Sequence, residues 1–444
     1  MKKDEIVNRL DTESVGKSFV RYLIPSMVGM LLMAINIVVD GIMVGNRLGP
    51  VALAGVGIAA PVYSVFVAMS LWIGIGAATR YSAEMGAKRP DKARVIFSHA
   101  IVSIFIFTVI IGLTAFLFRT ELAYLLGANA ETFTYVAGYM NVMLLFGFVF
   151  TVENAFSILV RNDGGPNLSM VALVATALVN IGLNYVFLFI LDYGVVGAAS
   201  ATVIGAFVGI LILSTHFFRK KSNLRLVRFK FNRKLFFLIL IIGFPSFLAE
   251  VGISVFTISH NLIFERLAGT AGVSAFTILN YVHSVMLLVF LGMGAAIQPL
   301  VSYYQGAKNE EKMKKTVKMA IGTAFGVGIL FFLIGQFAAA PITRLFGDFP
   351  DEVMSLAVPG IKLFFIAYIF MGTNFVMMTY YQSIGQIRMA TWITASREIV
   401  ILLILLAILP SLFGLTGVWL AIPLSEFIVL LTIFYYQTKS TLSF

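Results

Sequence analysis

Asp40 is a carboxylate set inside an otherwise apolar stretch of this sequence. An ionisable side chain in such a setting is costly, so it is first of all a functional candidate. It stands about six residues from the end of its stretch, ~9 Å deep at about 1.5 Å per helical residue. Asn180 and Asn184 have i, i+4 spacing and so share one helix face. Asn184 is again ~9 Å from its helix end, and Asn180 lies one turn deeper. Thr202, early in the following stretch, falls at ~10 Å from the same side. One carboxylate with amide and hydroxyl oxygens suits a proton or a small hard cation such as Na⁺. The alternative for the two asparagines and the threonine is hydrogen bonding that only joins helices.

Other polar residues share the apolar stretches. Glu250 could meet a substrate charge or carry a second proton, or could form an ion pair with Lys362. Arg397, Glu398 and Glu426 read as a structural network, and Glu153 with Asn154 as a cytoplasmic gate. The chain has 41 Phe, 19 Met and 16 Tyr, side chains that could line a deformable cavity for flat, greasy cations. Tyr139, Met33, Asn154, Glu250 and His283 are the cavity candidates. Packing is the competing reading for each, and His283 fits a hydrogen-bonded packing residue better than a proton relay. With no cysteine and four scattered histidines, no disulfide or His-Cys metal site is expected, and no metal beyond a Na⁺ at Asp40. No cofactor motif appears.

These residues must be positioned by membrane helices. The 444 residues are 59% hydrophobic and 12% charged, about half the charged share usual in soluble domains, ~25%. Stretches of roughly 20 apolar residues suffice to span a bilayer, and twelve qualify: 17–45, 51–79, 93–117, 131–158, 167–190, 195–217, 235–264, 271–300, 314–337, 353–381, 388–409 and 415–437. Pro25, Pro245, Pro299 and Pro359 predict kinks within them, and Pro410 with Gly414 a tight final turn. Of 32 Lys and Arg, 26 fall in or beside the segments on the N-terminal side. Only Arg47, Arg119, Arg266 and Arg344 fall on the side opposite the N-terminus. That asymmetry predicts both termini in the cytoplasm of a multi-pass cell-membrane protein, and an even number of crossings. The +11 formal charge therefore reflects inner loops rather than nucleic-acid binding. The polar N-terminus lacks the pattern of a cleaved signal, so the first helix is expected to be retained.

The sequence also repeats. Pro25 in LIPSMVG falls on Pro245 in GFPSFLA, Gly86-Ala87-Lys88 on Gly306-Ala307-Lys308, Asn154 on Asn374, and Gly194 on Gly414. The predicted fold class is all-α integral membrane: twelve helices as two parallel six-helix repeats around a central cavity. The N-lobe is 1–217, a basic cytoplasmic linker 218–234 and the C-lobe 235–444. In this register Asp40, Asn180, Asn184 and Thr202 correspond to His260, Val400, Ile404 and Ile422. Duplicated packing alone does not explain a constellation found in one half.

The run INIVVDGIMVGNRLGPVALAGVG, the GFPSFLAE run and the two GAK loops resemble the MATE family of multidrug and toxic-compound exporters over about residues 17–437. GFPSFLAE resembles most the MepA-like prokaryotic branch. The resemblance implies a cavity between lobes and an N-lobe cation or proton site at Asp40, Asn180, Asn184 and Thr202, with Pro25 as the hinge of the first helix. A helix-10 acid of the NorM-like branch is absent between Met371 and Gln382. The expected function is secondary active efflux of hydrophobic or cationic organic compounds in exchange for H⁺ or Na⁺, by a monomer among membrane lipids. The competing readings are a lipid or polysaccharide-precursor flippase of the same superfamily and an intramembrane enzyme. The latter would need a nucleophile–base pair or a HExxH-type motif, and neither is found.

Overall fold

A backbone in hydrocarbon has no water to bond, so long apolar runs are driven to satisfy their own N–H and C=O groups as helix. The computed structural model describes residues 9–219, 222–346 and 349–439, and its regular structure there is entirely helical. Lys2, Lys3, Lys220 and Lys221, part of the basic bias above, lie outside the described residues.

Among the described residues ten helices are long and apolar enough to cross a membrane. Two of these are too long for one crossing. Arg233–Gly306 has 74 residues, on the order of 110 Å of helix against a hydrocarbon layer of ~30 Å. It breaks at Gly269, and the segment Ile387–Lys439 breaks at Gly414. Divided there, the candidate crossings are α1 Val15–Leu48, α2 Val51–Gly86, α3 Pro90–Leu117, α4 Phe133–Asn162, α5 Pro166–Ile190, α6 Gly194–Phe218, α7 233–268, α8 270–306, α9 Glu310–Leu345, α10 Asp351–Ser383, α11 387–413 and α12 415–439.

The backbone carries the repeat as clearly as the sequence does. Gly49 ends α1 at φ 84° and Gly269 ends α7 at φ 55°. Gly194 and Gly414 have φ 58° and 56°, and Lys88 and Lys308 have φ 61° and 55°. A left-handed residue stops a helix without a loop, and glycine adopts that conformation without a Cβ clash. Unlike these glycines, the prolines do not end their helices. Helical angles run unbroken through Pro25, Pro245 and Pro299, and the interruptions within those helices fall at Gly49 and Gly269. Proline's fixed φ is compatible with helix, and its missing N–H and ring crowding act on the helix axis without ending the helix.

By contacts the chain divides into two units, Met1–Phe247 with Ser302–Lys308, and Leu248–Val301 with Asn309–Phe444. In the first, small residues let helices approach closely around a core that includes Ala77, Tyr81, Phe97, Ala155, Leu159 and Ile239. The linker residues 222–232 are strapped to this unit. Asn223 N donates to Asp163 Oδ2 (2.9 Å), Val227 N to Ser98 Oγ (2.9 Å) and Asn232 N to His99 Nε2 (3.0 Å). Asp163 also accepts from Tyr81 (2.7 Å) and pairs with His216 Nε2 (2.8 Å). In the second unit, Phe256, His260, Phe264, Phe276 and Trp419 form an aromatic core, with Phe264 and Trp419 centroids 4.3 Å apart.

Candidate functional site

Asp40 sits on α1, seven residues after Met33 and four after Asn36, so all three share a face. The carboxylate is half-buried, and that face meets α5, where Asn180 and Asn184 are both buried. Asn184 Nδ2 donates to Asp40 Oδ1 at 2.6 Å. Asn180 is satisfied in one amide orientation, assigned from its surroundings because the other faces like groups at both ends. There its Nδ2 donates to Asp40 Oδ1 (2.7 Å) and Oδ2 (3.1 Å) and to Asn36 Oδ1 (3.0 Å). Its Oδ1 accepts from the Thr202 hydroxyl (3.0 Å) and backbone N–H (3.1 Å). Thr202 is on α6, so three helices converge on one carboxylate.

All four residues predicted as the coupling site thus come together. No cationic side chain pairs with Asp40 among the described residues; burial and the amides of Asn180 and Asn184 are what surround it. Asn184 Oδ1 is buried without a partner. A carboxylate held by amide donors, beside a free amide oxygen, can accept a proton or contribute to the oxygen shell of a small cation. No cluster of three or more His, Asp or Glu suited to a transition metal occurs among the described residues.

Two features escaped the sequence reading. Asn36 joins the site, and its position one turn before Asp40 was the available signal. Thr176, one turn before Asn180, donates to Glu153 Oε1 at 2.7 Å. Glu153 is buried, so a polar stripe on α5 leads from Asp40 toward a second carboxyl.

The cavity candidates divide between the units. In the first, Tyr139 on α4 is half-buried and within electrostatic reach of Asp40. Met33 is half-buried on the Asp40 face, whereas Asn154 Nδ2 donates to Ser70 Oγ at 2.8 Å and ties α4 to α2. In the second unit, His283 Nδ1 bonds the Tyr368 hydroxyl at 3.0 Å. Glu250 does not pair with Lys362, whose side chain is exposed on α10; its charged neighbour is Glu398. The reach of lysine lets its ammonium leave the apolar interior, which removes the expected partner. The Arg397 network is present: Nε donates to Glu426 Oε1 at 2.9 Å, and Nη2 lies 3.3 Å from Glu398 Oε1.

Known proteins resemble this chain along its length. The multidrug export proteins MepA of Staphylococcus saprophyticus and Staphylococcus aureus are each 27% identical, over 96% of this chain and 94% of theirs. Among solved structures, a MOP superfamily transporter from Pyrococcus furiosus superposes with TM-score 0.91 at 25% identity, covering 96% of both chains. A MATE transporter in a bent conformation gives TM-score 0.88 at 26% identity over the same share of each. The MatE family model matches twice, at residues 25–186 and 245–409, the two matches beginning at the prolines that the internal repeat superposes. With more than half its length matched, in the register its own backbone repeats, the chain belongs to the MatE family.

Proposed function

We propose that this membrane protein is a secondary active multidrug efflux antiporter, exporting hydrophobic or cationic organic compounds in exchange for H⁺ or Na⁺. The observation that carries the reading is the Asp40 cluster: a membrane-embedded carboxylate met by Asn180 and Asn184, with Thr202 and Asn36 around them. The relatives named as multidrug export proteins support the choice of cargo.

In this reading the ion enters from outside and binds at Asp40, completing its shell with Asn184 Oδ1. Asp40 and Pro25 lie on the same helix, so occupancy of the one biases the bend of the other. Relatives have been solved in bent and in straight conformations, which supports Pro25 as the hinge. Reshaping α1 alters the pocket near Met33 and Tyr139, and cargo leaves outward. The lobes are 1–217 and 235–444, joined by the basic linker 218–234, with Glu250 and His283 as second-lobe contributions to the cavity and Asn154 as a first-lobe one. Both termini face the cytoplasm, and the protein works as a monomer.

The test is dye efflux from proteoliposomes under an imposed pH or Na⁺ gradient. Asp40→Asn is expected to abolish gradient-driven export while the protein still inserts and binds dye. Full export by that variant would falsify the coupling role. Which of the two gradients drives transport identifies the ion.

A further inference from the structure

No acidic residue occurs between Asp192 and Glu250, while residues 222–234 hold Arg225, Arg228, Lys230, Arg233 and Lys234. All five are exposed, and no carboxylate pairs with them among the described residues. An inner loop that only carries positive charge needs no fixed shape. This one has a fixed shape. Its backbone leaves α6 and reaches α7 extended, with ψ 131° at Arg219 and 103° at Asn232. The backbone N–H groups of Asn223, Val227 and Asn232 are held by side chains of the first unit. Leu224 is buried, and Phe229 lies against His99 with ring centroids 4.0 Å apart. With these side chains turned inward, Arg225, Arg228 and Lys230 are turned out.

The anchor points also fix the height of the strap. The 28 residues of α3 make ~42 Å of helix, more than a hydrocarbon layer of ~30 Å requires. Its charged residues, Asp91, Lys92 and Arg94, lie in the first turns, and none follows between Val95 and Leu117. Ser98 and His99, which hold the strap, stand where those polar turns give way to the apolar run. Beyond the strap, Phe236 in the first turn of α7 stacks on Phe107 of α3, with centroids 5.3 Å apart and 9° between planes. The strap therefore runs level with the edge of the hydrocarbon, where headgroups lie. Leu226, Phe231 and Phe237 are exposed among its basic residues. Apolar and aromatic side chains beside cations suit that boundary, since the ring or chain enters the acyl edge and the cation meets phosphate.

We propose that residues 225–237 form a binding surface for the anionic phospholipid headgroups of the leaflet they border. The guanidinium groups of Arg225 and Arg228 match phosphate oxygens with paired donors. Lys230, Arg233 and Lys234 add charge, and Leu226, Phe231 and Phe237 anchor the strap in the acyl edge. The surface stands independently of the exchange cycle and of the role given to Asp40.

The test reconstitutes the full chain in phosphatidylcholine bilayers with a minor share of phosphatidylglycerol. Electron paramagnetic resonance reads the immobilised fraction of spin-labelled phosphatidylglycerol against that of spin-labelled phosphatidylcholine. Wild type is expected to favour phosphatidylglycerol about fivefold, a preference that falls as NaCl is raised. Arg225→Gln, Arg228→Gln and Lys230→Gln combined are expected to bring the ratio near one. Lys308→Gln, Lys315→Gln and Lys318→Gln combined remove the same charge elsewhere and are expected to leave the preference in place. No preference in wild type, full preference in the strap variant, or equal loss in both variants overturns the surface. Loss of the preference on adding inorganic phosphate at constant ionic strength also overturns it, in favour of a soluble phosphate ligand. A spin label on Phe231→Cys, in a chain with no other cysteine, reads the height. It is expected to collide more often with oxygen dissolved in the bilayer than with a water-soluble nickel chelate, and the opposite order overturns the membrane contact.

Discussion

Asn184 both donates to Asp40 and holds the free oxygen beside it. Asn184→Leu removes both at nearly constant volume. Half-maximal driving-ion concentration in efflux assays is expected to rise about tenfold, ~1.4 kcal/mol, with the fold intact by melting temperature. Arg397→Leu acts on stability instead. It strands Glu426 and Glu398 in the interior, and removing one partner of a buried pair destabilises by roughly 3–5 kcal/mol; a lowered melting temperature and poor yield from membranes are the readouts. At this scale the sequence was legible where spacing and burial reinforced one another. The i, i+4 asparagines and the lone acid of α1 converge because a buried carboxylate and buried amides need each other. Asn36 obeyed the same rule and was overlooked. The Glu250–Lys362 pairing failed because hydropathy says which residues share a stretch, not which way a long side chain turns.

Helices here stop at glycines and pass through prolines. Gly49 holds φ 84°, and Gly49→Ala forces a Cβ into a left-handed residue at roughly 1–2 kcal/mol. Gly269→Ala is expected to do the same, visible as a few degrees in melting temperature. Gly209 on α6 is a packing glycine rather than a turning one: a Cβ there would overlap Glu153 Oε1 and Thr176 Oγ1. Gly209→Ala should destabilise by ~1–3 kcal/mol as an overpacked core does. Element positions were readable because the apolar runs are long. Their ends were less so, because a chain that turns on one residue leaves hydropathy continuous across the turn, as it does at Gly269 and Gly414.

Across the whole molecule, two halves share a backbone plan while their polar contents differ. The absence of cysteine makes a topology test direct. Lys230→Cys, in the exposed strap, is expected to react with a membrane-impermeant maleimide only in inside-out vesicles. Asp192→Cys, between α5 and α6 and with a side chain 68% exposed, is expected to react only in right-side-out ones. The reverse pattern at both sites would invert the assigned orientation. The single-glycine turns have a practical corollary for anyone seeking reagents. A polypeptide that reverses between crossings on one residue leaves no protruding loop there for a protease to clip or an antibody to grasp. Binders raised against intact cells should therefore be rare, and should cluster on the longer connections, such as residues 118–132 between α3 and α4.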